Sequence, residues 1–367
     1  MIFERRLTFH LDWALIGAIL ALSGMGLLMI YSTTWDLARN QPGSEFWRQI
    51  QALVLGLILM VALMSIDYRS ITQRSLLIYG GLLLLLVAVF FFGVVRGGSR
   101  RWIHLGFFNL QPSEFARIGV ALVLAMYFGE NRRGARASSD LLVGAGFTLV
   151  PFLLIARQPD LGTAATLLPV YLGIAYLAGL RMRLLAVAAI IGVLLSPLAW
   201  NYALKPYQQE RIQTFLDPER DPRGAGYQQI QARVTVGSGG LTGKGFRQGT
   251  QGGYGFLPVA HNDFVFSVLA EEHGFLGVLV ALGLYMFVIL RSLDAARLAK
   301  DKVGTYLVVG IVSGFAFQVM YNITMSAGLA PVKGLTLPLM SYGGSSLMAT
   351  LAAFGLILNV RMRRFTN

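Results

Sequence analysis

Residues 74–95 read RSLLIYGGLLLLLVAVFFFGVV. After Arg74 no charged side chain occurs until Arg96, and the run between them is almost wholly aliphatic and aromatic. A bilayer core of about 30 Å takes about 20 apolar residues as a helix, so this stretch is long enough to cross one. Nine further apolar segments, at 12–32, 48–66, 113–130, 140–157, 162–180, 184–203, 264–291, 303–327 and 343–361, have the same character. Together they predict an all-α integral membrane protein of ten transmembrane helices. The 367 residues are 55% hydrophobic and 13% charged, with a mean hydropathy of +0.60, and such a chain is no soluble globular domain. The length leaves room for a single polytopic membrane domain over 1–367. The first apolar run follows Arg5 and Arg6, is too long for a signal-peptide core and has no convincing cleavage site, so it is read as a retained span.

An even number of spans puts both termini on one side, and Lys and Arg in short loops say which. With a cytoplasmic start, the inner segments carry Arg5 and Arg6; Arg69 and Arg74; Arg132, Arg133 and Arg136; Arg181 and Arg183; Arg291, Arg297, Lys300 and Lys302; and Arg361, Arg363 and Arg364. Outer segments are poorer in both, apart from Arg96, Arg100 and Arg101 and the long loop 204–262 between spans seven and eight. Long loops translocate whatever their charge. The arginine cluster calls for its own reason, and an anionic ligand on the outer face supplies one. The formal charge of +13 is spread in small groups between spans and forms no stripe, which argues against a nucleic-acid partner. The absence of cysteine excludes disulfides, zinc thiolate sites and thiol nucleophiles.

The loop 204–262 is acidic and Pro-containing around Asp217–Pro222 and glycine-rich over 237–255, and the expectation is a partly ordered, functional extracytoplasmic loop. Gly243 and Lys244 resemble a phosphate-loop fragment, but Ser238 and Gly245 break the Walker pattern. Acids at membrane depth cost about 2.5–3.5 kcal/mol each on insertion scales, so each is a functional candidate. Glu114, Asp160, Asp263, Glu271 and Glu272 all fall near an outer span end. Each has a structural alternative. Glu114 and Arg117 share a helix face three residues apart and suit an internal ion pair. Asp160 and Asp263 each precede a predicted span and suit helix capping. By helical geometry Glu271 lies closer to the Asp263 side of its helix than Glu272 does.

Asn322, the run Ala330 to Pro338 and the run Ser341 to Ser346 resemble the signature of the SEDS family. Agreement continues in Arg100-Arg101-Trp102-Ile103 leading to Gln111-Pro112-Ser113-Glu114-Phe115, in Gln158-Pro159-Asp160-Leu161-Gly162, and in Asp217-Pro218 through Gly226-Tyr227-Gln228. It ends in Gly237 to Gly240 through His261-Asn262-Asp263-Phe264. These motifs cover nearly the whole chain in order, and its short termini are closer to the RodA branch than to the FtsW branch. Asn262, Val259 and Arg117 stand where the family commonly has threonine, glutamate and lysine, and the first two leave the geometry around Asp263 open.

The resemblance implies a ten-span fold, activity on lipid II, a class B penicillin-binding protein as partner, and an essential aspartate at Asp263. The expected reaction is inverting glycan polymerisation on the outer face of the cytoplasmic membrane, with undecaprenyl diphosphate leaving and Asp263 as general base. His261 is a possible orienting partner of Asp263, though a lone histidine is more often structural. Arg96, Arg100, Arg101, Arg117 and Lys244 are the cations expected to meet the diphosphate, and Arg96 suits a lipid headgroup equally well. Trp102, Glu114, Asp160 and Ser341 complete the expected substrate-binding set. A divalent cation, Mg or Mn, would have to be held largely by substrate and Asp263. Two competing functions are a lipid II flippase and a non-catalytic scaffold for the penicillin-binding protein.

Overall fold

The computed structural model describes residues 11–36, 40–96, 99–104, 106, 108–130, 138–203, 206–222, 224, 226–253 and 255–365. The predicted inner arginines Arg5, Arg6, Arg132, Arg133 and Arg136 lie outside these residues, as does the side chain of Arg96. The first helices are α1 (Trp13–Thr33), α2 (Ser44–Ser65), the short α3 (Tyr68–Gln73) and α4 (Ser75–Phe92). Then come α5 (Pro112–Glu130), α6 (Ser138–Arg157), the short α7 (Leu161–Ala165), α8 (Leu167–Ala178) and α9 (Met182–Leu198). The loop that follows contains α10 (Pro206–Leu216), α11 (Tyr227–Ser238) and the single turn α12 (Thr250–Gly253). The chain closes with α13 (Val265–Arg297), α14 (Lys302–Ser326) and α15 (Gly344–Met362).

Among the described residues eight helices are long and apolar enough to cross a membrane: Trp13–Thr33, Ser44–Ser65, Ser75–Phe92, Ser139–Arg157, Leu161–Ala178, Val265–Arg297, Lys302–Ser326 and Gly344–Met362. Two of the ten expected segments fall outside that set. One is α5, which carries Glu114, Arg117 and Glu130 in its 19 residues. The other is α9, only 17 residues long, which has Pro197 in its last turn and runs into a π-helical turn at Ala199–Ala203.

Burial explains how α5 tolerates charge. α5 packs on α4, α6, α8, α14 and α15, so Glu114 and Arg117 are buried against protein partners, as charges at membrane depth require, while Glu130 lies exposed at the helix end. α15 is buried over nearly its full length and packs most extensively on α2. The two run close because small residues face the contact: a Cβ on Gly355 would come within 2.6 Å of the Met60 carbonyl oxygen.

One end of the bundle is tied by ion pairs. Asp12 caps α1 at Leu15 N, accepts from Arg291 (2.8 Å) and forms an ion pair with Arg361 (3.0 Å). Asp301 holds Arg69 at 2.9 Å and the Tyr68 hydroxyl at 2.8 Å.

At the opposite end two antiparallel ribbons depart from the all-helical expectation. β1 (Trp35–Asp36) pairs with β2 (Gln41–Pro42), and β3 (Val94–Arg96) pairs with β4 (Ser99–His104), which pairs with β5 (Asn109–Leu110). In the second ribbon Val95 faces Arg100 and Ile103 faces Leu110.

Candidate active site

Asp263 closes a turn in which the Asn262 and Asp263 amides donate to the Val259 carbonyl at 3.0 and 3.2 Å. The capping alternative fails at this residue. α13 begins at Val265 behind Phe264, and the Asp263 carboxylate accepts no hydrogen bond from the described residues. It is half-buried and faces the segment between α14 and α15, where a Cβ on Gly334 would lie 3.6 Å from Oδ2. Burial pushes the carboxyl up to about 6, helped by the negative charge of Asp160 and opposed by Arg211 and Arg101.

Asp160 is the cap that the sequence allowed: Oδ1 accepts from the Thr163 amide at 3.1 Å and starts α7. Its Oδ2 accepts from Gln111 Nε2 at 3.2 Å and lies 3.7 Å from Arg101 Nη1. Arg101 comes from β4 and also donates to the Gln158 carbonyl (3.0 Å) and the Pro159 carbonyl (2.5 Å). The expected diphosphate ligand is thus also the clamp that ties the β4 ribbon to the 158–160 turn. Arg100 is exposed and Trp102 half-buried on the same strand.

Two cations outside the expected set belong to this region, Arg211 acting on the Asp263 carboxylate and Lys333 preceding Gly334 in the chain. Arg211, on α10, acts electrostatically on Asp263, Tyr321 and Lys333. The Lys333 ammonium lies 5.9 Å from the Tyr321 ring centroid, and burial together with Arg211 pulls its pKa down. Lys333 stood in the quoted motif and its positive charge on an outer segment was the available signal. Arg211 gave none, being the single basic residue of a polar helix in the long loop.

Glu114 and Arg117 form the expected pair at 3.1 Å, and both are buried. Arg117 also donates to Gln318 Oε1, while Gln318 Nε2 donates to the Thr336 carbonyl at 2.9 Å. The pair therefore braces α5 against α14 and the 327–343 segment. Ser341 is likewise bonded within the protein: its hydroxyl accepts from the Leu337 amide at 2.8 Å within a tight turn. His261 packs its ring edge-on against Tyr342, with centroids 5.6 Å apart, and does not orient Asp263.

Lys244 has partners within the protein. Its ammonium lies 2.7 Å from Glu271 Oε1 and 3.0 Å from Thr250 Oγ1. Glu271 also accepts the backbone amides of Thr250, Gln251 and Gly252 at 2.9, 3.0 and 3.2 Å. Lys244 therefore helps to hold the glycine-rich loop. Glu271, fully buried, serves that loop and not Asp263.

An apolar cavity of about 570 Å³ opens between α4 and α5, lined by Ile78, Leu82, Leu85, Pro112, Phe115 and Ile118 among others. Gln111, which donates to Asp160, immediately precedes Pro112 in its wall. Among the described residues no group of three or more His, Cys, Asp or Glu is arranged to hold a metal ion.

The FtsW/RodA/SpoVE family model, described as cell cycle protein, matches residues 13–365. The peptidoglycan glycosyltransferase MrdB of Escherichia coli (strain K12) is 39% identical over 97% of this chain and 94% of its own length. The peptidoglycan glycosyltransferase RodA of Treponema pallidum (strain Nichols) is 32% identical over 96% and 98%. A solved chain from a peptidoglycan synthase complex that coordinates polymerization and crosslinking superposes with a TM-score of 0.84 at 36% identity, covering 97% of this chain and 99% of that one. The crystal structure of Thermus thermophilus RodA, a rod shape determining protein, gives 0.72 at 32% identity over 97% and 98%.

Proposed function

The chain belongs to the FtsW/RodA/SpoVE family, and from that premise we propose that Asp263 is the general base of its glycosyl transfer reaction. The protein is a peptidoglycan glycosyltransferase embedded in a membrane. Its substrate on this reading is lipid II. The 4-hydroxyl of one disaccharide attacks the anomeric carbon of another sugar, the bond from that carbon to the diphosphate breaks, and Asp263 takes the hydroxyl proton. Attack opposite the leaving group inverts the anomeric centre. A diphosphate leaves as a stable anion and needs no protonation, so one carboxylate suffices where a glycosidase uses two.

The single observation that carries this reading is the Asp263 carboxylate itself: half-buried, without a hydrogen bond, and raised to about 6. A base needs such a free lone pair and a pKa near the working pH. Arg211 and Arg101 supply positive charge that acts on it, where the diphosphate gathers charge in the transition state. The apolar cavity between α4 and α5 suits the polyprenyl tail, because its wall residue Pro112 directly follows Gln111, which donates to Asp160, and it is walled by aliphatic and aromatic side chains.

A divalent cation, Mg or Mn, fits only as a guest of the substrate. Asp263 is the carboxylate near the site with both oxygens uncommitted, and Mg²⁺ commonly binds one or two carboxylates plus substrate phosphates. When bound it would neutralise charge on the leaving diphosphate.

The topology we adopt has ten spans, counting α5 and α9, with both termini cytoplasmic and the site outside. The ion-paired end with Arg291 and Arg361 supports a cytoplasmic face, and α13 runs from there to Asp263. A class B penicillin-binding protein is the partner we assign, in keeping with the relative solved in a complex that also crosslinks.

Asp263→Asn is the test, since it keeps the shape of the side chain and removes its basicity. Purified variant and parent are compared for polymer formation from labelled lipid II in detergent, where no second leaflet exists to flip into. The expected loss is at least about 10²-fold with folding retained. Parental turnover by a folded Asp263→Asn protein would refute the assignment.

A further inference from the structure

Asn322 lies on α14 with no solvent exposure. Its Nδ2 donates to the backbone carbonyl of Asp263 at 2.9 Å and to that of Leu335 at 2.6 Å. One amide group therefore joins the turn carrying Asp263 to the segment carrying Lys333 and Gly334. Its Oδ1 is buried and has no partner. Rotating the amide would satisfy nothing, because both neighbours of Nδ2 are carbonyl oxygens and would then face a third oxygen. A buried unsatisfied acceptor is costly, so the site tolerates a penalty to keep both donor bonds.

Both bonded carbonyls belong to irregular backbone. Asp263 precedes α13, and residues 331–337 form neither helix nor strand. Irregular backbone at the membrane end of a bundle needs side-chain donors to hold it. Asp263 has no hydrogen bond to its own carboxylate to fix it. Its position is therefore set through its main chain, and Asn322 is the side chain that grips that main chain.

We infer that Asn322 is a positioning residue for glycosyl transfer, holding the peptide of Asp263 at a fixed distance from Gly334 and Lys333. This rests on the reading of Asp263 as the base. Misplacing a reacting group by about 1 Å costs on the order of 10²-fold in rate without touching the groups that bind substrate. A defect here accordingly falls on kcat and spares KM.

The test compares the full-length parent, Asn322→Leu, Asn322→Ser and Asp263→Asn in lipid II polymerisation, with rates normalised to protein that stays monodisperse and folded. Asn322→Leu fills the space and removes both donors, while Asn322→Ser keeps one donor and leaves room for water. The expected order is parent, then Ser, then Leu, with kcat in the leucine variant lowered about 10- to 100-fold and KM within about threefold. If Asn322→Leu fails to fold, the serine variant decides: a fall in kcat at parental KM supports the inference. Parental kcat per folded molecule, or a loss confined to KM, overturns it. Loss of activity in Asp263→Asn beside a parental Asn322→Leu rejects this inference alone. Full activity in Asp263→Asn removes the base reading on which it rests.

Discussion

The electrostatics around Asp263 make a prediction about pH that a fold defect cannot imitate. The carboxyl sits at about 6 because burial and Asp160 raise it while Arg211 and Arg101 hold it down. A general base works only when deprotonated, so kcat should fall as pH drops through that value. With a pKa near 6, about nine-tenths of the enzyme carries the ionised base at pH 7 and about one-tenth at pH 5. Arg211→Ala removes a cation that favours the charged form, so the acid limb should move to higher pH. A shift of about one unit would cost the variant about fivefold relative to parent at pH 6, about twofold at pH 7 and almost nothing in relative terms at pH 8. Arg211 also faces the proposed diphosphate site, so the height of the whole profile should drop as well. The position of the limb is therefore the quantity that matters. The assay is initial-rate polymerisation of saturating lipid II from pH 5 to 8, each curve scaled to its own plateau. An unmoved limb in Arg211→Ala, or a parental profile flat across that range, would refute the reasoning.

Three further outcomes follow from the packing. Gly274 has φ 64° and ψ −164° inside α13, a region open essentially to glycine alone, and a Cβ there would fall on the Gly243 nitrogen. Gly274→Ala should cost at least about 3 kcal/mol, read as a lowered melting temperature in detergent. Lys244→Ala should lose only about 1 kcal/mol and keep the parental KM for lipid II, because Glu271 retains three backbone amides. Glu271→Ala should lose about 3 kcal/mol or more by stranding those amides, and a raised KM in Lys244→Ala would restore that lysine to the substrate. Arg101→Lys should be nearly as damaging as Arg101→Ala, since an ammonium cannot span the Gln158 and Pro159 carbonyls and the Asp160 carboxylate together. Near-parental polymerisation by Arg101→Lys would show that charge alone is needed there.

Hydropathy made most of the spans legible, because stretches such as 74–95 have no alternative solvent. It was least informative at α5, where Glu114 and Arg117 interrupt the apolar run and only the surrounding helices explain why they are tolerated. The motif reading located Asp263, Asp160 and Arg101, which the fold does gather. It left the cap alternative open at both aspartates, and the structure divides them: Asp160 caps α7 and Asp263 caps nothing. No periodicity separates these cases, since each depends on where the neighbouring backbone amides point. Arg211 was invisible for a related reason, because the approach of α10 to Asp263 is a tertiary fact about a polar helix far away in sequence.

The glycine-rich stretch shows most clearly what composition hides. It invited a phosphate-cradle reading, yet its backbone is used up by a helix. In an unbroken α13 the Phe275 and Leu276 amides would donate to the Glu271 and Glu272 carbonyls. The break at Gly274 opens those two rungs. Lys244 and Gly245 amides donate to the freed carbonyls at 2.9 and 3.0 Å, and Phe275 and Leu276 amides donate to the Gly240 and Leu241 carbonyls at 2.9 and 3.1 Å. The loop thus replaces both lost bonds from each side, which requires its main chain to lie against the helix axis. A Cβ at Gly239 or Gly243 would strike the Ala270 or Glu272 carbonyl, so glycine is what the close approach permits. Glu271 then fastens the far end of the same loop at residues 250–252, leaving a short tether to Asp263. The glycines thereby act on the chemistry at one remove: they let the loop knit into the broken helix, and that junction fixes where the chain emerges to present the base.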